Sequence, residues 1–402
     1  MSKRTNTLVW YSAIPLWLLI SFARKNPEFI EKYYSRVFYP LVFDLHRHLL
    51  DLFPFSLGDV LYFSLILYFL RAIFIKFPHY RVKPLSILGD LGSVVILVAW
   101  IFHLSWGFNY HRLPLNQQFQ IPIEYSEQDL EDRLDKIIEE SNYWHNRLVS
   151  SDTLAVTFPY LMENILEKIS LYHPAYHETL LKTSKVKKSL MSLPLSYMGY
   201  SGYLNPFTLE SQVNDKMPIQ SLITTSLHET AHQMGYAAEN EANFIAYLSA
   251  IKSKDLHVQY AGNTFAFRYL FNDFHKLDPE EARNKLKLLN PGILKNFKEV
   301  NDFWKKYKNP FEVIFVTKTE NILSKKINRN PKEIPKAKFT PIPPLLLKEE
   351  TETPIRVKTK AEKGKLHLLC LTNRWLLIIT APPSRSFSMN SLRGEKVKVS
   401  AL

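Results

Sequence analysis

The chain has 402 residues, 46% of them hydrophobic, with 26 Phe, 21 Tyr and a formal net charge of +13. That length accommodates one sizeable globular domain plus accessory segments. Its single cysteine, Cys370, excludes an internal disulfide framework and a cysteine-ligated metal site.

The first quarter reads as membrane. Leu8 to Ala23 is an apolar run containing Trp10 and Trp17, short for a span but sufficient with its flanks. Lys3 and Arg4 ahead of it fit a signal peptide or a retained anchor. Ser21-Phe22-Ala23 runs directly into Arg24-Lys25 without a clean small-x-small cleavage site, so a retained anchor is expected. Leu57 to Phe77 and Ile87 to Phe108 are fuller candidates, interrupted by Asp59 and Arg71 in one and by Asp90 and His103 in the other. His103 lies deepest, where an ionisable side chain is either functional or bonded to a neighbouring helix. Residues 1–110 are therefore expected to form a membrane region with about three transmembrane helices. Lys76, Arg81 and Lys83 fill the second link, but Arg24, Lys25, Lys32, Arg36 and Arg47 fill the first, so the positive-inside rule does not decide orientation. An N-terminus in the cytoplasm with three spans makes this a multi-pass cell-membrane protein with residues 111–315 on the extracytoplasmic side.

Beyond the spans, Ser126 opens an amphipathic helix with Asp129 as its capping-box acid and Leu130, Leu134, Ile137 and Ile138 as its apolar face, to about Leu148. A second helix is expected from Tyr160 to Tyr172. Tyr200 to Asn214, rich in aromatic and β-branched residues and punctuated by Gly202 and Pro206, predicts one or two short strands. An edge strand there can receive a substrate backbone, or it can simply pack a helix. Tyr203 and Asn205 are the polar groups expected to contact substrate. Helical patterns resume at Asn263–Phe274 and Pro279–Tyr307, broken at Asn290-Pro291-Gly292. Tyr260, Arg268 and Tyr269 are candidates for a donor to a developing oxyanion, or for ordinary packing.

Between these elements lies His228-Glu229-Thr230-Ala231-His232. On a helix, residues i and i+4 share one face, so both imidazoles can reach one metal ion, with Glu229 beside it as general base. The pattern arises by chance in about two chains per hundred of this composition, so the neighbouring residues matter. Gly235 is a natural helix stop in the left-handed conformation. A second apolar helix restarts near Glu239 with Ala242, Ile245, Ala246 and Leu248, and can bring a carboxylate to the metal, leaving a fourth position for water. Both Glu239 and Glu241 are available as that ligand. The chemistry expected of such a site is zinc-dependent peptide hydrolysis, with Glu229 taking a proton from water and passing it to the leaving amine. Two other readings stay open: a membrane-anchored metal-binding or sensor module without peptidase activity, and a structural membrane protein in which the histidines are ordinary core groups and the acids a solvated helix cap.

From Val316 to Leu402 there are 18 Lys and Arg against 7 Asp and Glu, so nearly all the net charge lies in the tail. Pro331, Pro335, Pro341, Pro343, Pro344 and Pro354 mark it as extended and disordered, and its charge reads as solvated, with no nucleic acid expected. Leu366 to Ile379 is apolar but carries Arg374 and is too short to span.

Two resemblances add to this. Glu239-x-x-Ala242-Asn243 resembles the Glu-x-x-Ala-Asp element of membrane zinc peptidases of the gluzincin group. That resemblance implies Glu239 as third zinc ligand and Asn243 as the partner of a ligand imidazole, with Asn a weaker base-raising partner than Asp. Residues from about 90 to 315 resemble the bacterial membrane-protein family called domain of unknown function 3810. The resembling residues are Trp106-Gly107-Phe108-Asn109-Tyr110-His111-Arg112, Gly202 to Thr208, His228 to Tyr236, and Glu239 to Phe244. The expected fold is mainly α: N-terminal transmembrane helices, then an α+β zincin-like metallopeptidase domain with a small edge sheet, then a basic tail over 316–402 foreign to that fold. The expected partners are a peptide or protein substrate and the lipid bilayer.

Overall fold

A computed structural model describes residues 3–118, 125–161, 164–166, 185–309, 367–371 and 374–378. It is mainly helical, with a small sheet. Helix α1 (Lys3–Lys25) is followed by a short α2 (Pro27–Phe29), a π-helical segment (Ile30–Phe38) and α3 (Tyr39–Leu50). The sequence reading treated this stretch as a plain link. Helices α4 (Leu57–Val82) and α5 (Leu85–Ser105) follow. Three helices, over Asn6–Lys25, Leu57–Val82 and Leu85–Ser105, are long and apolar enough to cross a membrane.

These three helices run in register. Near the start of α1, Asn6 Nδ2 donates to Asp90 Oδ1 (3.0 Å) and Trp10 Nε1 to the Gly89 carbonyl (3.3 Å), while farther along Trp100 Nε1 reaches the Ser12 carbonyl (3.2 Å). Helices α1 and α5 are therefore parallel. Gly92 makes the approach possible, since a Cβ there would lie 2.3 Å from the Trp10 ring. Helix α4 returns in the opposite sense: Lys76 Nζ and Tyr80 Oη near its end both bond Asp90 Oδ2 at the start of α5. His103, expected deep in a span reaching Phe108, lies instead in the last turn of α5, which ends at Ser105, and turns its Nδ1 to Ala99 O of its own helix (2.7 Å).

A short 3₁₀ turn (Gly107–His111) and α6 (Leu115–Gln118) lead to α7 (Glu127–Leu148). The expected capping box is present: Asp129 N donates to Ser126 Oγ and Ser126 N to Asp129 Oδ2. Leu130, Leu134, Ile137 and Ile138 are buried as the periodicity requires. Of the helix expected over Tyr160–Tyr172, residues 164–166 are helical, and 162–163 and 167–184 lie outside the described residues.

The sheet combines β1 (Lys187–Lys188), β2 (Gly202–Leu204) and β3 (Ser211–Val213), in the order β1-β3-β2. Strand β3 is parallel to β1 and antiparallel to β2, with Tyr203 opposite Gln212. Helix α8 (Ser192–Met198) precedes β2. Then come α9 (Ile219–Gln233), α10 (Glu239–Ile251), α11 (Leu256–Leu277), α12 (Pro279–Lys287) and α13 (Pro291–Tyr307), the last pair separated at the expected Asn-Pro-Gly break. Helices α7, α10, α11 and α13 bury one core that includes Leu134, Phe244, Tyr247, Phe267, Phe271 and Phe297. Within the tail, His367–Leu371 and Arg374–Ile378 pair as antiparallel strands, β4 and β5. The rest of the segment expected to be disordered lies outside the described residues.

A buried polar cluster ties the sheet to α4. Glu210 Oε2 accepts from Gly58 N (2.6 Å) and Glu210 Oε1 from Leu57 N (3.3 Å), which satisfies amides that a helix N-terminus leaves open. Lys187 Nζ neutralises the same carboxylate at 2.6 Å and also reaches the Leu50 carbonyl. Both side chains are almost fully enclosed, at 3% and 1% exposure, so loss of either leaves a buried charge without its counter-ion. Glu210→Ala is expected to cost about 3–5 kcal/mol, whereas the solvent-facing Lys298→Ala is expected to leave stability nearly unchanged. Thermal unfolding of the detergent-solubilised chain checks the contrast, and similar midpoints for the two variants would refute it.

Candidate metal centre

Helix α9 is buried along nearly its whole length, and its last two turns carry His228, Glu229 and His232. It ends where the chain must reverse. Gly235 has φ +81°, the left-handed region a glycine enters without cost, and Tyr236 N donates back to the Ala231 carbonyl (3.2 Å). A Cβ at Gly235 would meet Asn109 Oδ1 at 3.0 Å, so sterics and backbone conformation both favour glycine there. The reversal starts α10 at Glu239, four residues later, and brings its first turn against the last turn of α9.

The geometry that results is compact. Glu239 Oε2 lies 3.2 Å from His228 Nε2, and Glu239 Oε1 lies 3.7 Å from His232 Nε2. One ligand atom from each of the three residues falls within 4.8 Å of the others. The two imidazoles meet edge to face, with centroids 4.6 Å apart. Each ring is also fixed from behind. His228 Nδ1 donates to Asn243 Oδ1 (2.8 Å) and His232 Nδ1 to the Tyr236 carbonyl (2.7 Å). Those acceptors hold the proton on Nδ1 and direct the lone pair of each Nε2 into the cluster.

The electrostatics of the cluster suit a positive charge. Burial disfavours a charged His228, yet the Glu239 carboxylate beside it raises its pKa to about 9. Burial, and then the charge on His228, pushes His232 down to about 4. Burial also resists ionisation of Glu239, but its hydrogen bond to His228 and the two rings hold it at about 2. Its side chain keeps 37% exposure, so the rings dominate over desolvation. Without a cation, a proton on His228 thus balances the carboxylate. Glu229 is different: burial pushes its pKa up to about 8, and its Oε2 is enclosed with no hydrogen-bond partner. Two imidazole lone pairs and a carboxylate could hold a divalent metal ion, and the adjacent Glu229 Oε2 has no hydrogen-bond partner among the described residues.

The other sequence candidates sit elsewhere. Glu241 turns away, its Oε1 accepting from Leu115 N at 2.7 Å. Tyr203 stacks on Tyr62 of α4, and its hydroxyl donates to Asp59 Oδ1. Asn205 is fully buried, with its Oδ1 taking the Phe207 and Thr208 amides. Tyr260 donates to Asn296 inside the core, and the Arg268 guanidinium lies over the Phe297 ring. The sheet does approach the acid: a Cβ on Gly202 in β2 would lie 3.1 Å from Glu229 Cγ.

Sequence reading missed the residues that hold the end of α9. The last carbonyls of a helix have no partner within it. Here Trp106 Nε1 donates to His232 O (3.1 Å), Tyr39 Oη to Gln233 O, and Arg112 Nη1 to Gly235 O (3.0 Å). Glu31 from the π-helical segment holds Arg112 through two bonds, at 2.8 and 2.9 Å. Tyr110 is the aromatic neighbour on the Glu239 side. Burial, and then the Glu239 charge, keeps it a neutral phenol. The only signal for this support was the Trp106–Arg112 motif, whose role depends on contacts more than a hundred residues away.

Asn243 provides a test independent of turnover. Asn243→Ala frees the His228 ring to rotate and removes its Nδ1 acceptor, so zinc affinity is expected to fall about 10–100-fold. Competitive titration against a chromogenic chelator measures this, and unchanged affinity would count against Asn243 as the orienting partner.

No curated protein and no solved structure matches the chain. The family described as "protein of unknown function (DUF3810)" matches residues 34–328. That match begins earlier and ends later than the 90–315 span suggested by the motifs, and it takes in the second half of the π-helical segment, α3, α4 and the carbonyl-capping residues from Tyr39 onward. A match over most of the chain places the protein in the DUF3810 family.

Proposed function

We propose that the chain is a membrane-anchored zinc metallopeptidase with a zincin-like domain, in which His228, His232 and Glu239 hold the metal and Glu229 is the general base. The observation that carries this reading is the convergence of two oriented Nε2 atoms and one carboxylate beside a buried carboxyl oxygen with no partner. A zinc ion in that position supplies Lewis acidity, drawing the pKa of a water towards about 7 and polarising a scissile carbonyl.

The chain's own groups do the rest. Glu229 Oε2 accepts a proton from the attacking water and delivers it to the leaving amine nitrogen. Strand β2 is an outer strand of the sheet and offers main-chain groups to an extended substrate, and Gly202 keeps it close to Glu229. Tyr203 and Asn205 serve this role through the position of β2, because their side chains bond Asp59 and neighbouring amides. Tyr110, a neutral phenol near Glu239, is a candidate donor to the developing oxyanion.

The domain reading that goes with this has 1–110 as the membrane region, 111–315 as the metal domain and 316–402 as a tail. For orientation, parallel α1 and α5 put the N-terminus and the Arg81–Lys83 link on one face and the metal site on the other. Basic residues lie on both faces, so loop charge does not choose between them; an N-terminus in the cytoplasm with three spans gives an extracytoplasmic metal site.

Glu229→Gln is expected to retain zinc and lose hydrolysis by about 10²–10⁴-fold, whereas His228→Ala loses both. Elemental analysis and cleavage of an unfolded protein panel read the two properties separately. Undiminished hydrolysis by Glu229→Gln would exclude its role as base, and zinc retention with no hydrolysis by the wild type would favour a metal-binding or sensor module.

A further inference from the structure

The metal helix is attached to the ends of the apolar spans. Ser105 is the last residue of α5, and the next residue, Trp106, donates to the carbonyl of His232 itself. Its indole also meets the His232 ring edge to face, with centroids 6.2 Å apart. Ser105 Oγ donates to the Pro206 carbonyl in the loop between β2 and β3 (2.7 Å). At the adjoining end of α4, Ser56 Oγ donates to the Gln212 side-chain oxygen, and Asp59 accepts from Ser189 Oγ, Leu190 N and Tyr203 Oη. Tyr62, one turn into that span, packs on Tyr203 and Phe207. Ala23, near the end of α1, shares a buried cluster with Trp106, Phe108, Leu209 and Ala237. All three spans thus end against the segments that carry the metal ligands and the outer strand.

These contacts set a distance. A side chain on His232 lies within about two helical turns of the end of α5, on the order of 10 Å. The headgroup layer beyond the hydrocarbon is roughly 5–8 Å thick on each side. Trp106, Tyr110, Tyr62 and Tyr203 cluster at the same level, where aromatic side chains favour the interface. An extended chain advances about 3.3 Å per residue, so a polypeptide leaving the hydrocarbon would reach the site within about three to five residues.

We infer that the site acts on membrane-anchored polypeptides, cutting them in the extended segment within about five residues of their own span, and that the attachment of α9 and β2 to α4 and α5 fixes this depth. The inference rests on the peptidase reading and adds the substrate class to it. Soluble unfolded chains are poorer substrates because they must find a site at the bilayer surface, whereas a tethered chain is already confined there.

The experiment has two arms, both on the full chain in vesicles of phosphatidylethanolamine and phosphatidylglycerol. For depth, a nitroxide is attached at Ala238→Cys, next to Glu239, or at Leu288→Cys at the exposed end of α12, each with Cys370→Ser. Collisions with oxygen, relative to a water-soluble nickel chelate, are expected to be severalfold more frequent at 238 than at 288. Equal ratios would overturn the inference. For cleavage, a randomised six-residue segment is joined to an apolar anchor helix directly, or through a fifteen-residue helical spacer about 22 Å long, or is left free. Cleavage of the directly joined segment is expected to exceed both others by about tenfold. Equal cleavage of all three would overturn the substrate class and leave the peptidase reading intact. Cleavage of none, by zinc-loaded protein, would overturn both.

Discussion

The arrangement depends on one backbone constraint, the reversal at Gly235. A helix carrying two imidazoles on its last two turns can gain a carboxylate from the following segment only if the chain turns back at once. The left-handed glycine makes that turn, and Asn109 closes the space a side chain would need. The turn leaves the terminal carbonyls of α9 pointing toward the membrane region, where Trp106, Tyr39 and Arg112 take them up. Arg112 also places a cation at the negative end of the helix, a favourable location for it. Its own charge is held by Glu31, so the support extends into the segment between the first two spans.

The membrane region is therefore part of the metal domain's structure as well as its anchor. The amides that open α4 are satisfied by Glu210, whose counter-ion Lys187 lies in β1, the outer strand opposite β2. Asp59, in the first turn of the same helix, accepts from Ser189, Leu190 and Tyr203. Buried, paired charges of this kind contribute little net stability, but each is costly to break. They favour a single placement of the apolar helices against the sheet, and so a single position for His228, Glu229, His232 and Glu239 relative to the helix ends.

Particular residues show how far local pattern carries. The Ser126–Asp129 capping box and the apolar stripe from Leu130 to Ile138 were read from spacing alone, because a cap and an amphipathic face are properties of neighbouring residues. Glu31 stands out by no local pattern. Its partner Arg112 is eighty-one positions away, and no local spacing rule connects them. Glu239 and Glu241 were equally open by composition. The direction of the first turn of α10 separates them, with Glu239 beside the imidazoles and Glu241 on the Leu115 amide.

The sequence by itself determined the candidate spans, the metal helix, the glycine stop, the strand segment and the capped helices, since each follows from periodicity, chain length or the conformational freedom of single residues. Only the tertiary structure decided which acid faces the histidines, which groups cap the end of α9, and how the sheet sits on α4. Those outcomes depend on hydrogen bonds and ion pairs between residues far apart in the chain, and such pairings are set when helices pack, not by the order of residues along any one of them.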